Sequence, residues 1–236
     1  MQSHSSERKA QAARASHNGG ALDISHMARP GMWTPLKLLA EPKHYMPRSV
    51  MLREGEKARL VYRLTSGMAR LSRTLPDGQR QIVGFALPGE ILGNDFCEHV
   101  AFSMEAIDRV SAVQFQRLAF VAFINAKPEI MKEIHALTAR DLSRARDHMV
   151  VLGRKNADGK LAAFLIGLHD RQAQTSASAA HIPLAMTRQD IADFVGLTIE
   201  TVSRTLSKFA RQKLIVITPN GVRLLNEQKV RIMGEI

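Results

Sequence analysis

Residues 187–211 constrain the fold more than any other stretch. Thr187-Arg188-Gln189-Asp190 has the spacing of a capping box: the Thr187 hydroxyl can accept the Asp190 N–H while the Asp190 carboxylate returns to the Thr187 amide, so a helix starts there. Ile191, Phe194 and Val195 supply its buried side, and Gly196, which tolerates positive φ, permits a sharp reversal. Thr198 then caps a second helix, in which Ile199, Val202, Leu206 and Phe209 read as the buried stripe. The opposite face carries Glu200, Ser203, Arg204, Ser207, Lys208 and Arg211. One carboxylate, one guanidinium fork, small hydroxyls and then basic residues suit the major groove. Arg204 can bond guanine O6 and N7, Glu200 can accept from cytosine N4, and Ser203 can bond either kind of base edge. Arg188, Lys208 and Arg211 are expected on phosphates, with Thr187, Gln189, Thr198, Thr201 and Ser207 as supporting backbone contacts. Residues 216–224 follow as two β-like runs around Pro219-Asn220-Gly221, as a wing would.

Upstream, residues 50–116 alternate roughly between apolar and polar. They are broken by Arg53-Glu54-Gly55-Glu56, Thr65-Ser66-Gly67, Pro76-Asp77-Gly78 and Pro88-Gly89. Strands are expected over 60–64, 69–74, 79–86 and 111–117, which makes an antiparallel β-roll or barrel. From Pro128 the period becomes helical and runs to about Leu152 with no glycine or further proline. Met131, His135, Thr138, Leu142, Ala145, Met149 and Leu152 form a heptad seam, while Ile130, Ile134 and Leu137 make a second stripe. Two apolar faces need two partners. The second stripe is expected on the β-roll, and the seam on a twin helix in a homodimer, with Thr138, Leu142, Ala145, Met149 and Leu152 at the contact. Residues 153–159 read as a hinge, 160–169 as a further helix and 170–180 as a polar connector. The fold class is therefore α+β: a tail over 1–30, a β-roll over 31–126, a dimerisation helix over 127–152 and a winged helix-turn-helix over 153–236.

Composition narrows the chemistry. The chain has 236 residues, 45% hydrophobic and 23% charged, with one cysteine, so neither an intramolecular disulfide nor an all-cysteine metal site can form from one chain. A reducing, cytoplasmic setting is expected. No apolar run approaches the roughly 20 residues of a membrane span, and residues 1–20 lack the pattern of a secretory signal. Thirty-three Lys and Arg against 22 Asp and Glu leave a charge of +11, which favours a polyanionic partner such as double-stranded DNA. Residues 153–160 imitate a phosphate loop, but Leu161 follows Lys160 where a hydroxyl is required. No nucleophile–base pair is evident, and an enzyme is not expected.

Over residues 45–230 the chain resembles the cyclic-AMP receptor/fumarate–nitrate regulator superfamily of bacterial transcription factors. The resemblance rests on Leu64-Thr65-Ser66-Gly67, Leu87-Pro88-Gly89-Glu90-Ile91-Leu92-Gly93, Gly153-Arg154-Lys155-Asn156-Ala157, Leu161-Ala162-Ala163-Phe164, Met186-Thr187-Arg188-Gln189-Asp190-Ile191, and Gly196-Leu197-Thr198-Ile199-Glu200-Thr201-Val202-Ser203-Arg204. It implies a β-roll sensor, a dimerisation helix, a winged helix-turn-helix and contact with RNA polymerase as an activator. Glu200, Ser203 and Arg204 are similar to the fumarate–nitrate and FixK branches, which implies a TTGA-type inverted repeat and control of microaerobic respiration or nitrogen-fixation genes. The cyclic-AMP receptor branch has Arg where Ile199 stands and Gly where Ser203 stands.

The sensor departs from two family patterns. Cyclic-nucleotide binders hold the phosphate with a Gly-Glu pair and a later Arg. Here Gly93-Asn94-Asp95 and Phe102-Ser103-Met104-Glu105-Ala106 replace them, an anion standing where the cation belongs. A [4Fe–4S] cluster needs N-terminal cysteines that are absent, and Cys97 is not at the internal position. No cofactor and no metal are therefore expected. Cys97-Glu98-His99 leaves open a haem, metal or redox role beside that of an ordinary thiol, and a β-roll gated by haem, redox or a small metabolite remains the alternative. A regulatory β-roll on an enzyme or channel is a third reading, against which the base-reading helix counts.

Overall fold

The computed structural model describes residues 39–93, 97–173 and 181–235. The expected tail lies outside the described residues.

Eight strands come first: β1 (Ala40–Tyr45), β2 (Val50–Leu52), β3 (Leu60–Ser66), β4 (Ala69–Thr74), β5 (Arg80–Ala86), β6 (Ile91–Leu92), β7 (Ser103–Ala106) and β8 (Val110–Gln116). They form two antiparallel four-stranded sheets, ordered β1-β8-β3-β6 and β2-β7-β4-β5. The turns named from sequence make this roll. Gly78 at φ 81° follows Asp77, whose carboxylate accepts the Gln79 N–H at 2.9 Å and closes the β4–β5 hairpin. Gly67 turns β3 into β4 at φ 78°, and a Cβ there would lie 2.3 Å from the Arg109 carbonyl oxygen. Tyr62, Leu64, Met104 and Val110 fill the space between the sheets, and the Tyr62 hydroxyl donates to the Met51 carbonyl at 3.1 Å.

Helix α1 (Arg117–Asn125) was not expected; the uniformly apolar run 118–124 has no readable period. It buries Phe120 and Ile124 and leaves Leu118 87% exposed. Helix α2 (Pro128–Arg154) is 27 residues long, two residues longer at its end than expected. Ile130 and Ile134 are buried with Val113, Phe115, Phe120 and Ile124, and Leu137 packs beside them, so the second stripe lands on the β-roll. Past Leu137 the helix no longer packs into this cluster, although Arg144 still reaches the Glu90 carboxylate of the roll at 4.0 Å. Thr138, Leu142, Ala145, Met149 and Leu152 all face solvent in the single chain.

Helix α3 (Ala157–Ala173) starts three residues before the expected one, because the Asn156 side chain accepts the Gly159 N–H at 2.9 Å and caps it. The hinge shrinks accordingly to Lys155 and Asn156. The helix also continues through 170–173, read from sequence as connector. There Arg171 donates to the Glu90 carboxylate at 2.8 and 2.7 Å and to the Phe85 carbonyl. The remainder of the connector, 174–180, lies outside the described residues. Then come β9 (His181–Pro183), α4 (Arg188–Val195), α5 (Ile199–Arg211), β10 (Ile215–Thr218), β11 (Gly221–Leu224) and α6 (Glu227–Gly234). The wing hairpin β10–β11 turns at Pro219 and Asn220, with Gly221 paired to Thr218 as the first residue of β11, and β9 adds a third strand on β11. A single apolar cluster joins Met68, Ile82, Phe85 and Leu87 of the roll to Leu161, Leu165, Ile191, Val202, Phe209 and Val222. The C-terminal elements are thus packed on β5 rather than tethered to it.

Replacing Gly67 by alanine should cost about 1–3 kcal/mol, through the positive φ and the collision with Arg109. A urea titration followed by circular dichroism should show the midpoint fall with the slope unchanged.

Candidate nucleic-acid interface

Both helix starts read from sequence are present. The Thr187 hydroxyl accepts the Asp190 N–H at 3.1 Å, and the Asp190 carboxylate accepts the Thr187 N–H at 3.1 Å and its hydroxyl at 2.8 Å. Gly196 ends α4 at φ 62°, and the Thr198 hydroxyl accepts the Thr201 N–H at 3.2 Å. Val202, Leu206 and Phe209 are buried, as expected. Ile199 is not: it is 40% exposed, and Thr205 takes the fourth buried place. As the first residue of α5, Ile199 precedes the turn whose far side meets α4, so the buried stripe runs 202, 205, 206, 209 instead. Phe194, expected in the core, is half-buried.

The outer face of α5 presents Glu200, Ser203, Arg204, Ser207 and Arg211 to solvent, flanked by exposed Thr187, Gln189 and Thr198 and by half-buried Arg188 and Thr201. Glu200 is held below the ordinary carboxylate pKa by its own backbone N–H first, then by the Thr198 hydroxyl and the charge of Arg204. It is therefore an ionised acceptor at neutral pH. Desolvation lowers the pKa of the Arg188 guanidinium, which stays charged all the same. Gln189 donates to Asp193 one turn on. Lys208 differs from expectation: it is half-buried and its ammonium is paired with Asp158 of α3, a residue that sequence reasoning left out.

What aims this face is a contact between α4 and the β4–β5 hairpin, also absent from the sequence reading. Asp190 is only 1% exposed, and one carboxylate oxygen receives Arg70 at 3.0 Å and Arg80 at 3.1 Å. Arg70 donates its other amino group to Glu105 at 2.6 Å, while its Nε is buried without a hydrogen-bond partner among the described residues. Gln81 donates to the Asp193 carbonyl at 2.8 Å, and the Phe85 ring meets Phe194 edge-on at 5.4 Å. From the other side His148 of α2 stacks flat on Phe194, with centroids 4.1 Å apart and planes at 7°. Burial keeps the His148 imidazole neutral at a lowered pKa, although its bond to the Phe194 carbonyl works the other way.

Among the described residues no three His, Cys, Asp or Glu side chains gather as a metal site would need, and no helix is long and apolar enough to cross a membrane. Cys97 is exposed.

Residues 184–215 match the family model of bacterial regulatory proteins, crp family, and residues 42–127 match that of the cyclic nucleotide-binding domain. The chain is 47% identical over 191 residues to the transcriptional activatory protein AadR of Rhodopseudomonas palustris, covering 81% of this chain and 80% of that one. It is 44% identical over 191 residues to the nitrogen fixation regulation protein FixK of Bradyrhizobium diazoefficiens, covering 81% of each. The solved structure of FixK2 from Bradyrhizobium japonicum superposes with a TM-score of 0.76 at 32% identity, over 84% of this chain and 98% of that one.

Removing the Asp190 carboxylate leaves Arg70 and Arg80 without their shared acceptor and takes away the return half of the α4 capping box, although the Thr187 hydroxyl still accepts the backbone N–H of residue 190. Asp190→Ala should therefore cost about 3–5 kcal/mol, and Asp190→Asn, which keeps a cap acceptor, less. Urea unfolding of the two variants beside the natural chain gives the ordering.

Proposed function

Since the chain belongs to the Crp family of bacterial regulatory proteins and is a DNA-binding transcription regulator, we propose that it acts as a homodimeric activator on a TTGA-type inverted repeat. The observation that carries this reading is the outer face of α5, where ionised Glu200, Ser203 and unburied Arg204 stand side by side on a helix whose other side is fully packed. In the major groove Arg204 bonds a guanine through O6 and N7, Glu200 accepts from a cytosine amine, and Ser203 contacts the base between. Arg188, Lys208 and Arg211 take phosphates, and the hydroxyls and amide of Thr187, Gln189, Thr198, Thr201 and Ser207 fix the register.

The homodimer is supported by the exposed seam. Leu142 is 50%, Met149 63% and Leu152 36% exposed, at heptad spacing along one side of the helix. A two-fold pairing along it covers these side chains and sets two recognition helices about 34 Å apart, one turn of DNA. The activator then meets RNA polymerase at the promoter, in the cytoplasm. The relative named as a nitrogen fixation regulation protein supports control of nitrogen-fixation genes, and the family resemblance adds microaerobic respiration.

We further infer that no cyclic nucleotide is needed. Glu105, near the place where a phosphate-binding arginine is required, is itself engaged by Arg70 as part of the Asp190 cluster. An anion there opposes a phosphodiester.

Fluorescence anisotropy of additive-free protein with a TTGA-N6-TCAA duplex and a scrambled one tests the reading. Discrimination of about a thousandfold at physiological salt is expected, and equal binding to both would refute the half-site. Arg204→Ala should lose about 1–3 kcal/mol on the TTGA duplex and leave the scrambled affinity nearly unchanged. A chain with Leu142 and Met149 both changed to glutamate should sediment as a monomer and lose the palindrome while retaining its circular-dichroism spectrum.

A further inference from the structure

Asp158 lies in the first turn of α3, and its carboxylate holds the Lys208 ammonium across the gap to α5. The pair sits at the rim of the DNA-facing surface, with Asp158 at 26% and Lys208 at 44% side-chain exposure, beside a groove of about 500 Å³ lined by Ser203, Arg204, Ser207 and Arg211. Arg204 and Arg211 have no carboxylate within salt-bridge distance among the described residues, whereas Lys208 does. The most inward of the outer cations is the one already satisfied.

We propose that Asp158 competes with DNA phosphate for Lys208 and thereby sets the overall affinity and salt dependence of the interface, not its choice of bases. This rests on the DNA-binding reading of α5. The physics is that of counterion release. Each cation that neutralises a phosphate frees condensed counterions and adds about −0.9 to the slope of log K against log salt. A lysine paired with a carboxylate either keeps its partner and contributes nothing, or changes partner and leaves an anion facing the phosphate. Either way the contact is weakened, and equally on every sequence, because phosphates are the same everywhere. The first-turn position of Asp158 also suits the α3 dipole, which favours its charged state and so the competition.

The experiment is an anisotropy salt series from 50 to 200 mM on TTGA and scrambled duplexes, with the natural chain, Asp158→Asn, Lys208→Gln and the double variant. Asp158→Asn should tighten both duplexes several-fold and alike, and steepen the slope by about one. Adding Lys208→Gln should cancel both gains. Lys208→Gln in the natural background leaves α3 untouched and should change the slope by less than it does beside Asp158→Asn. Equal slopes for the natural chain and Asp158→Asn, or the same drop for Lys208→Gln in both backgrounds, would overturn the role of Asp158 alone. A natural chain that binds neither duplex would overturn the DNA-interface reading, and this inference with it.

Discussion

The orientation of α5 depends on one buried carboxylate. Asp190 satisfies the N-terminus of α4 through Thr187 and accepts Arg70 and Arg80 from the β4–β5 hairpin. A carboxylate this deep would be prohibitive if unpaired, and two arginines with two cap donors satisfy it from both oxygens. The arrangement is directional. An apolar contact such as Phe85 on Phe194 fixes distance but tolerates sliding. The carboxylate–guanidinium geometry fixes the rotation of α4, and through the tight turn at Gly196 that of α5. Glu105 completes the cluster by taking the other end of Arg70, its cross-strand partner, which ties the orientation of α4 and α5 to the neighbouring strand β7.

Helix α2 provides the second reference. Its first half is pinned to the roll by Ile130 and Ile134, and near its end His148 lies flat on Phe194, so α4 is held between the hairpin and the helix. The free seam lies on another side of the same rod. With the dimer pairing proposed for it, the distance between two recognition faces follows from rigid packed contacts. Between α2 and α3 the link is only Lys155-Asn156, and α3 is anchored beyond it by Arg171 on Glu90.

Much of this was legible in the chain because the signals are local. The capping box at Thr187, the cap at Thr198, the αL glycine, the wing turn, the Asp77-Gly78 hairpin and the two stripes of α2 each declare themselves within a few residues. Helix α1 did not, since a run apolar on all sides carries no period, and its first turn leaves Leu118 in water. Helix starts and ends moved where a side chain outside the periodic pattern decided them, as Asn156 and Arg171 did for α3. Ile199 was misplaced for a related reason: spacing identifies a stripe, but only the neighbouring helix decides where along it burial begins. The Arg70–Asp190 and Lys208–Asp158 pairs span 120 and 50 residues and have no sequence signature, as arginines on an alternating strand read as solvated.

Charge makes the same division between what a sequence shows and what a fold decides. A net +11 on 236 residues points to a polyanion, yet it says nothing of which cations are free to meet one. In the folded chain Arg70, Arg80 and Arg171 are spent on internal carboxylates, and Arg231 on Asp170 and Glu227. The outward cations of α5 remain at the surface, with Glu200 among them as an anion that phosphate would repel. A face built only to attract the backbone would exclude that carboxylate. Its place at the start of the helix, ionised and bonded by Thr198, is what the base reading proposed for α5 calls for, an acceptor for a base edge beside cations for the duplex.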